Sequence, residues 1–221
     1  MAAKDIFDLR FQRSYADLWP MLETLYGAHP DYPQFCDDLI AEMRKAWTAR
    51  PAELKELDLK RDLGPDWFQR PDMVGYVFYI DRFAGDLNGV HEKLDYLESL
   101  GVTYVHLMPC LKPRPGDSDG GYSVMDYRRV NPVYGTMGDL TRLAKALRQR
   151  GMSLCIDLVL NHTAKEHAWA LQAAKGDVTH QDYYLMFDDD TLPKQYEETL
   201  VEIFPDNAPG SFTHYPQLGK W

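Results

Sequence analysis

The feature that most constrains the fold is a change of hydrophobic period at Gly64-Pro65-Asp66. Before that breaker, apolar residues recur at helical spacing. After it, short runs rich in aromatic and β-branched residues alternate with amphipathic stretches. Met73–Ile80 (MVGYVFYI), Val102–Met108 (VTYVHLM) and Met152–Leu160 (MSLCIDLVL) read as strands. Val90–Leu100 and Gly138–Arg150 read as the helices between them, each followed by a glycine, Gly101 and Gly151, suited to a left-handed helix end. Strand, helix, strand, helix, strand in that order predicts the α/β class, with a parallel sheet buried on both faces.

The residues before the breaker predict an all-helical domain over 1–70. Leu18, Met21, Leu22 and Leu25 follow i, i+3, i+4, i+7 spacing, with Ser14 and Asp17 as N-terminal capping candidates and Gly27 and Pro30 as the stop. A second helix is expected from Pro33, burying Phe35, Leu39, Ile40, Met43 and Trp47, and a third from Ala52 towards Leu63.

Two architectures use a parallel sheet of this kind, a doubly wound sheet and a (β/α)8 TIM barrel. Neither GxGxxG nor GxxxxGK[ST] follows any predicted strand, so nucleotide-binding signals are absent and the barrel is favoured. A complete barrel needs roughly 250 residues, and the whole chain has 221. The expectation is therefore the first three βα units of a truncated barrel over 71–162. Barrel closure removes free sheet edges, so the isolated chain is expected to self-associate.

A formal net charge of −10 argues against nucleic acid and anionic membrane as partners, since phosphates are held by clustered Lys and Arg. No apolar stretch has the length of a membrane span, and the first residues, MAAKDIFDLRFQR, lack a signal-peptide core, so a cytoplasmic protein is expected. Cys36, Cys110 and Cys155 are far apart and read as buried thiols rather than a disulfide framework or a metal site.

Functional groups of parallel β/α folds collect beyond the C-terminal ends of the strands. Three clusters lie there: Asp81-Arg82-Phe83, Asp117–Tyr122 (DSDGGY) and Asp157–His162 (DLVLNH). In the second, Asp119 and Tyr122 flank two glycines. A carboxylate beside an aromatic face suits a sugar ring, and an ordinary Asp-Gly turn with a packed tyrosine fits the same residues. In the third, Asp157 and Asn161 share one parity of an extended strand, and His162 lies just past it. A histidine there can donate to a hydroxyl, or it can be structural.

Longer strings carry more information. GGYSVMDYRRVNPVYGT (120–136) resembles the G-Y-x-x-x-D-Y-x-x-V-x-P-x-x-G-T stretch of the α-amylase superfamily, and Asp157–His162 is similar to its D-x-V-x-N-H motif. GYVFYIDRFAGDL (75–87), TYVHLMP (103–109), KPRPGDSDGGY (112–122), NHTAKEHAWA (161–170) and QYEETLVEIFPD (195–206) narrow the resemblance to amylosucrases and sucrose hydrolases. The segment 163–221, with Trp169, Tyr183, Tyr184 and Pro205, then resembles the start of the domain those enzymes insert between strand three and its helix.

The resemblance implies a retaining α-glucosyl transfer from sucrose to an α-glucan or to water, which needs two carboxyl groups about 5–5.5 Å apart. In the family these come from strands four and five, so no catalytic residue is expected within 1–221. By motif position Asp119 would bind terminal hydroxyls and pair with an arginine from a later strand. Tyr122 would stack under the sugar, and His162 would hold a hydroxyl near the reacting carbon. Asp157 would orient neighbouring side chains. Asn161 corresponds to a calcium ligand in many α-amylases, but amylosucrases as a group are not calcium-dependent, so neither metal nor cofactor is expected. The rival expectations are chemistry on maltooligosaccharides or trehalose in the same superfamily, and a non-catalytic sugar-binding protein.

Overall fold

The structure, a computed structural model, describes residues 3–202 and 210–221, so Pro205 and the end of the 195–206 string lie outside the described residues. The chain divides into two compact units, Met1–Arg70 and Pro71–Trp221.

The first unit is three helices, α1 (Ala3–Tyr26), α2 (Tyr32–Ala49) and α3 (Ala52–Leu63). The expected cap at Ser14 and Asp17 is corrected. Both residues are exposed inside α1, because the aromatic stripe extends back through Phe7 and Phe11, whose rings stack at 6.0 Å. In α2 the buried residues are Trp47 and Cys36, whereas Phe35 and Met43, expected in the core, are exposed. Three helices are too few to cover a full apolar stripe, and much of the interface is polar. Arg10 and Arg13 of α1 bond Asp62 of α3 at 2.8 and 2.9 Å, and the Arg10 guanidinium lies over the Trp47 ring at 4.8 Å.

The second unit is built on β1 (Gly75–Phe78), β2 (Tyr104–Leu107) and β5 (Ser153–Ile156), parallel and ordered β1-β2-β5. The α/β class and the three strands agree with the sequence reading, with shorter spans than their apolar runs, since α4 (Ile80–Ala84) takes over at Ile80 and β5 stops at Ile156. Register places His106 of β2 between Val77 of β1 and Cys155 of β5. The expected single helix over 90–100 is two, α5 (Leu87–Glu92) and α6 (Leu94–Ser99), joined at Lys93. A short antiparallel pair not foreseen from the sequence, β3 (Leu111–Pro113) and β4 (Val124–Val130), is inserted before α7 (Met137–Gln149). It escaped notice because residues 111–130 are dominated by Gly, Pro and Asp rather than by alternation.

Helix α7 starts at a reciprocal cap, in which the Thr136 hydroxyl accepts from the Asp139 N–H at 3.2 Å and the Asp139 carboxylate accepts from the Thr136 N–H at 2.8 Å. Such a cap contributes about 1 kcal/mol. The amphipathic face of α7 then buries Leu140, Leu143 and Leu147. These pack with Leu94, Leu97, Phe78, Val105 and Leu107 into one core on the helix-facing side of the sheet. Among the described residues the helices lie on one side of the sheet, and Val77, on the other, is exposed. In a barrel the helices ring the outside and the other face of the strands lines the packed interior.

Beyond the sheet, α8 (Ala168–Ala174), α9 (Val178–Gln181) and α10 (Thr191–Glu197) follow, and Phe187 and Trp221 exchange backbone hydrogen bonds at 2.8 Å. Among the described residues no helix is long and apolar enough to cross a membrane.

Candidate active site

The candidate site forms where β2 and β5 end. The turn 118–123 is tied by the N–H groups of Gly121 and Ser123 to the Ser118 carbonyl and by the Tyr122 N–H to the Asp119 carbonyl, each at 3.1 Å. Asp119 has φ +53°, a left-handed conformation that Asp and Asn tolerate better than other side-chain residues. Gly120 and Gly121 follow with φ +62° and +95°. A Cβ at Gly120 would lie 2.9 Å from the Tyr79 hydroxyl, and one at Gly121 would lie 3.0 Å from the Pro109 Cβ. Glycine is therefore required both by conformation and by close approach, and the turn can drop Tyr122 towards the sheet.

There the Tyr122 hydroxyl donates to Asp157 Oδ2 at 3.2 Å, and His106 Nε2 lies 2.8 Å from Asp157 Oδ1. An ionised carboxylate only accepts, so the His106 Nε2 carries the proton of that bond. Burial pushes the Tyr122 phenol up, and the charge of Asp157 and the hydrogen bond to it push the same way, so the phenol stays protonated as the donor. Beneath this row Cys110 is buried, and burial pushes its thiol up to about 11, which makes it a packing residue rather than a nucleophile.

The expected parity of Asp157 and Asn161 does not hold, because β5 ends at Ile156. Asp157 turns to His106 and Tyr122, whereas Asn161 is exposed and its Nδ2 lies 3.3 Å from His162 Nδ1. The structure thus unites Tyr122 with Asp157 and keeps Asp119 in the same turn as Tyr122. The side chains of Asn161 and His162 sit instead on a neighbouring open groove of about 1150 Å³ with Tyr127, Trp169 and Tyr183. The Tyr127 hydroxyl holds the backbone at that edge, lying 2.7 Å from the Val159 carbonyl and 3.1 Å from that of His162.

His106 escaped the residue-by-residue reading, although a lone histidine in the apolar run VTYVHLM, on the opposite parity from buried Val105 and Leu107, was the available signal. Among the described residues no group of three or more His, Cys, Asp or Glu could hold a metal ion.

His167, lining the groove, is buried and its Nδ1 accepts from the Trp169 N–H at 3.2 Å, capping α8. Burial lowers its pKa against a weaker opposing pull from Asp126. With the folded value below an unfolded value of about 6.5, the unfolded chain binds the extra proton first. Stability from the neutral cap is therefore complete above about 6.5 and lost as the pH falls below it. Urea midpoints of wild type and His167→Asn, an uncharged cap, are expected to converge at acid pH. Parallel pH dependence of the two would contradict the account.

A parallel sheet with crossover helices on one face is the arrangement of part of a (β/α)8 barrel. Residues 5–213 match the family described as Alpha amylase, catalytic domain, and the chain belongs to that family. It is 39% identical over 142 residues to an oligo-1,6-glucosidase of Heyndrickxia coagulans, covering 59% of this chain and 25% of that protein. It is 35% identical over 161 residues to a trehalose synthase of Thermus thermophilus, covering 70% of this chain and 16% of that protein. Among solved structures, trehalose-6-phosphate hydrolase of Bacillus licheniformis superposes with a TM-score of 0.52 at 33% identity, over 57% of this chain and 23% of that one. The chain thus spans a quarter or less of the length of these relatives.

Proposed function

We propose that the chain supplies the sugar-holding part of an active site that transfers an α-glucosyl unit from sucrose, as amylosucrases and sucrose hydrolases do. The observation that supports this reading is the Tyr122–Asp157 hydrogen bond, which sets a tyrosine ring at the sheet's C-terminal edge in the same turn as Asp119, an exposed residue. A ring face takes the C–H face of a pyranose, and a carboxylate takes its hydroxyls. In the proposed reaction Asp119 binds the terminal hydroxyls of the glucosyl unit and Tyr122 lies beneath it. His162, reaching in from the edge of the neighbouring groove, is proposed to donate to a hydroxyl near the anomeric carbon, with Asp157 supporting Tyr122 and Asn161 supporting His162. The nucleophile that forms the glucosyl-enzyme and the acid that protonates the departing fructose are carboxylates of the fourth and fifth strands, outside residues 1–221. Sucrose and α-glucan are the proposed partners, in the cytoplasm, without cofactor.

The second reading, action on trehalose or maltooligosaccharides, draws on the likeness to the trehalose synthase of Thermus thermophilus. A gene product containing these residues, incubated separately with sucrose, trehalose and maltose, decides between them. Fructose released from sucrose is expected, and turnover of trehalose or maltose with sucrose untouched would sink the sucrose assignment.

A further inference from the structure

Strand β2 places His106 on the face of the sheet opposite the helices. Val105 and Leu107 are fully buried against the helices, and His106 between them points the other way, its side chain about one-third exposed. Its Nε2 donates to Asp157 Oδ1 at 2.8 Å, while Oδ2 of the same carboxylate accepts from the Tyr122 hydroxyl at 3.2 Å. A carboxylate held at both oxygens cannot turn about its terminal bond without giving up one partner. The orientation of Asp157 is therefore set from β2, and the position of the Tyr122 ring is set through Asp157. Neither end of the row is free to compensate, since His106 is fixed by strand pairing on both sides and Tyr122 by the turn 118–123.

We infer that His106 is a positioning residue: through Asp157 it fixes the Tyr122 ring at the angle at which a pyranose lies on it. The sugar in that statement rests on the function proposed above, whereas the coupling of His106 to Tyr122 rests on the three side chains alone. Leucine at 106 would leave Asp157 Oδ1 without its donor, and the carboxylate would turn towards water and loosen its hold on the tyrosine. Glutamine would return an N–H donor at similar reach, so rescue by glutamine separates positioning from the filling of space.

The test uses an enzyme carrying residues 1–221, labelled with ¹³C at the tyrosine Cζ, with the Tyr122 resonance assigned through Tyr122→Phe. His106→Leu is expected to shift that resonance while Tyr15 and Tyr26, in the helical unit, stay in place, and His106→Gln is expected to return it. A Tyr122 resonance unmoved by His106→Leu, or moved equally by leucine and glutamine, overturns the proposal. Should the leucine variant fail to fold, His106→Asn, whose amide is too short to reach Asp157, carries the same reading. Methyl α-glucoside titrated against each form supplies the second arm. Its affinity at Tyr122 is expected to fall roughly tenfold in His106→Leu, within the range for side chains of one hydrogen-bonded network, and to recover in His106→Gln. Equal affinity in wild type and His106→Leu overturns the positioning role. No response of Tyr122 to the glucoside in any form, including wild type, counts against the sugar-pocket reading. The shift and its rescue without sugar would still uphold the coupling.

Discussion

Asp119→Gly, in an enzyme carrying residues 1–221, is expected to fold normally and to lose about two orders of magnitude or more in kcat/KM for sucrose. In the proposed pocket the loss leaves ligand hydroxyls and an arginine of a later strand unmatched, which costs about 2–5 kcal/mol, and each 1.4 kcal/mol is roughly tenfold. Glycine is the informative replacement because Asp119 has φ +53°. Alanine would add a left-handed strain of about 1–2 kcal/mol to the loss of the carboxylate, whereas glycine adopts that conformation freely and asparagine nearly so. Glycine and asparagine variants should therefore keep the wild-type melting temperature and share the catalytic loss, and alanine should lose on both counts. Near-normal kinetics for Asp119→Gly would remove Asp119 from the sugar pocket.

Leu143→Ala should be strongly destabilising. Leu143 is fully buried on α7, among Leu94, Leu97, Val105 and Leu107. Deleting three carbons there forfeits their transfer energy and leaves a cavity that a strand and two helices cannot collapse to fill, for about 2–5 kcal/mol. Domains of this size are stable by about 5–15 kcal/mol, so a urea titration should show a large loss or no folded baseline. Leu171→Ala, at a position 47% exposed, should change the midpoint by less than about 0.5 kcal/mol. Similar small effects at both positions would mean that the core does not close around Leu143.

The parts of this fold that could be read from the sequence are those fixed by local chemistry. The strands announce themselves by β-branched and aromatic residues, and Gly101 and Gly151 mark helix ends because each must take φ +73°. Where tertiary contacts decide, the residues mislead. The run MSLCIDLVL looks like one strand to Leu160, yet pairing with β2 ends at Ile156, and Leu158 and Leu160 are exposed. The burial of Phe35 was expected from its spacing alone, and spacing does not say how many neighbours a helix has. The site divides in the same way. Asp119, Tyr122, Asp157 and His162 stand in recognisable strings and so does His106, in TYVHLMP, but its tie to Asp157 is a relation between positions 51 residues apart that no local pattern contains.

Register also bears on how the chain 1–221 opens when taken by itself. Among the described residues β2 is paired on both sides, whereas β1 and β5 are each paired on one. In hydrogen–deuterium exchange the amides of Tyr104–Leu107 should thus become accessible only with disruption of the whole sheet, and those at the margins by local fraying. His106 is rooted in that slowest-exchanging strand. The anchor of Asp157 thereby inherits the persistence of the sheet, and through Tyr122 the turn that carries Asp119 is tied to that same anchor.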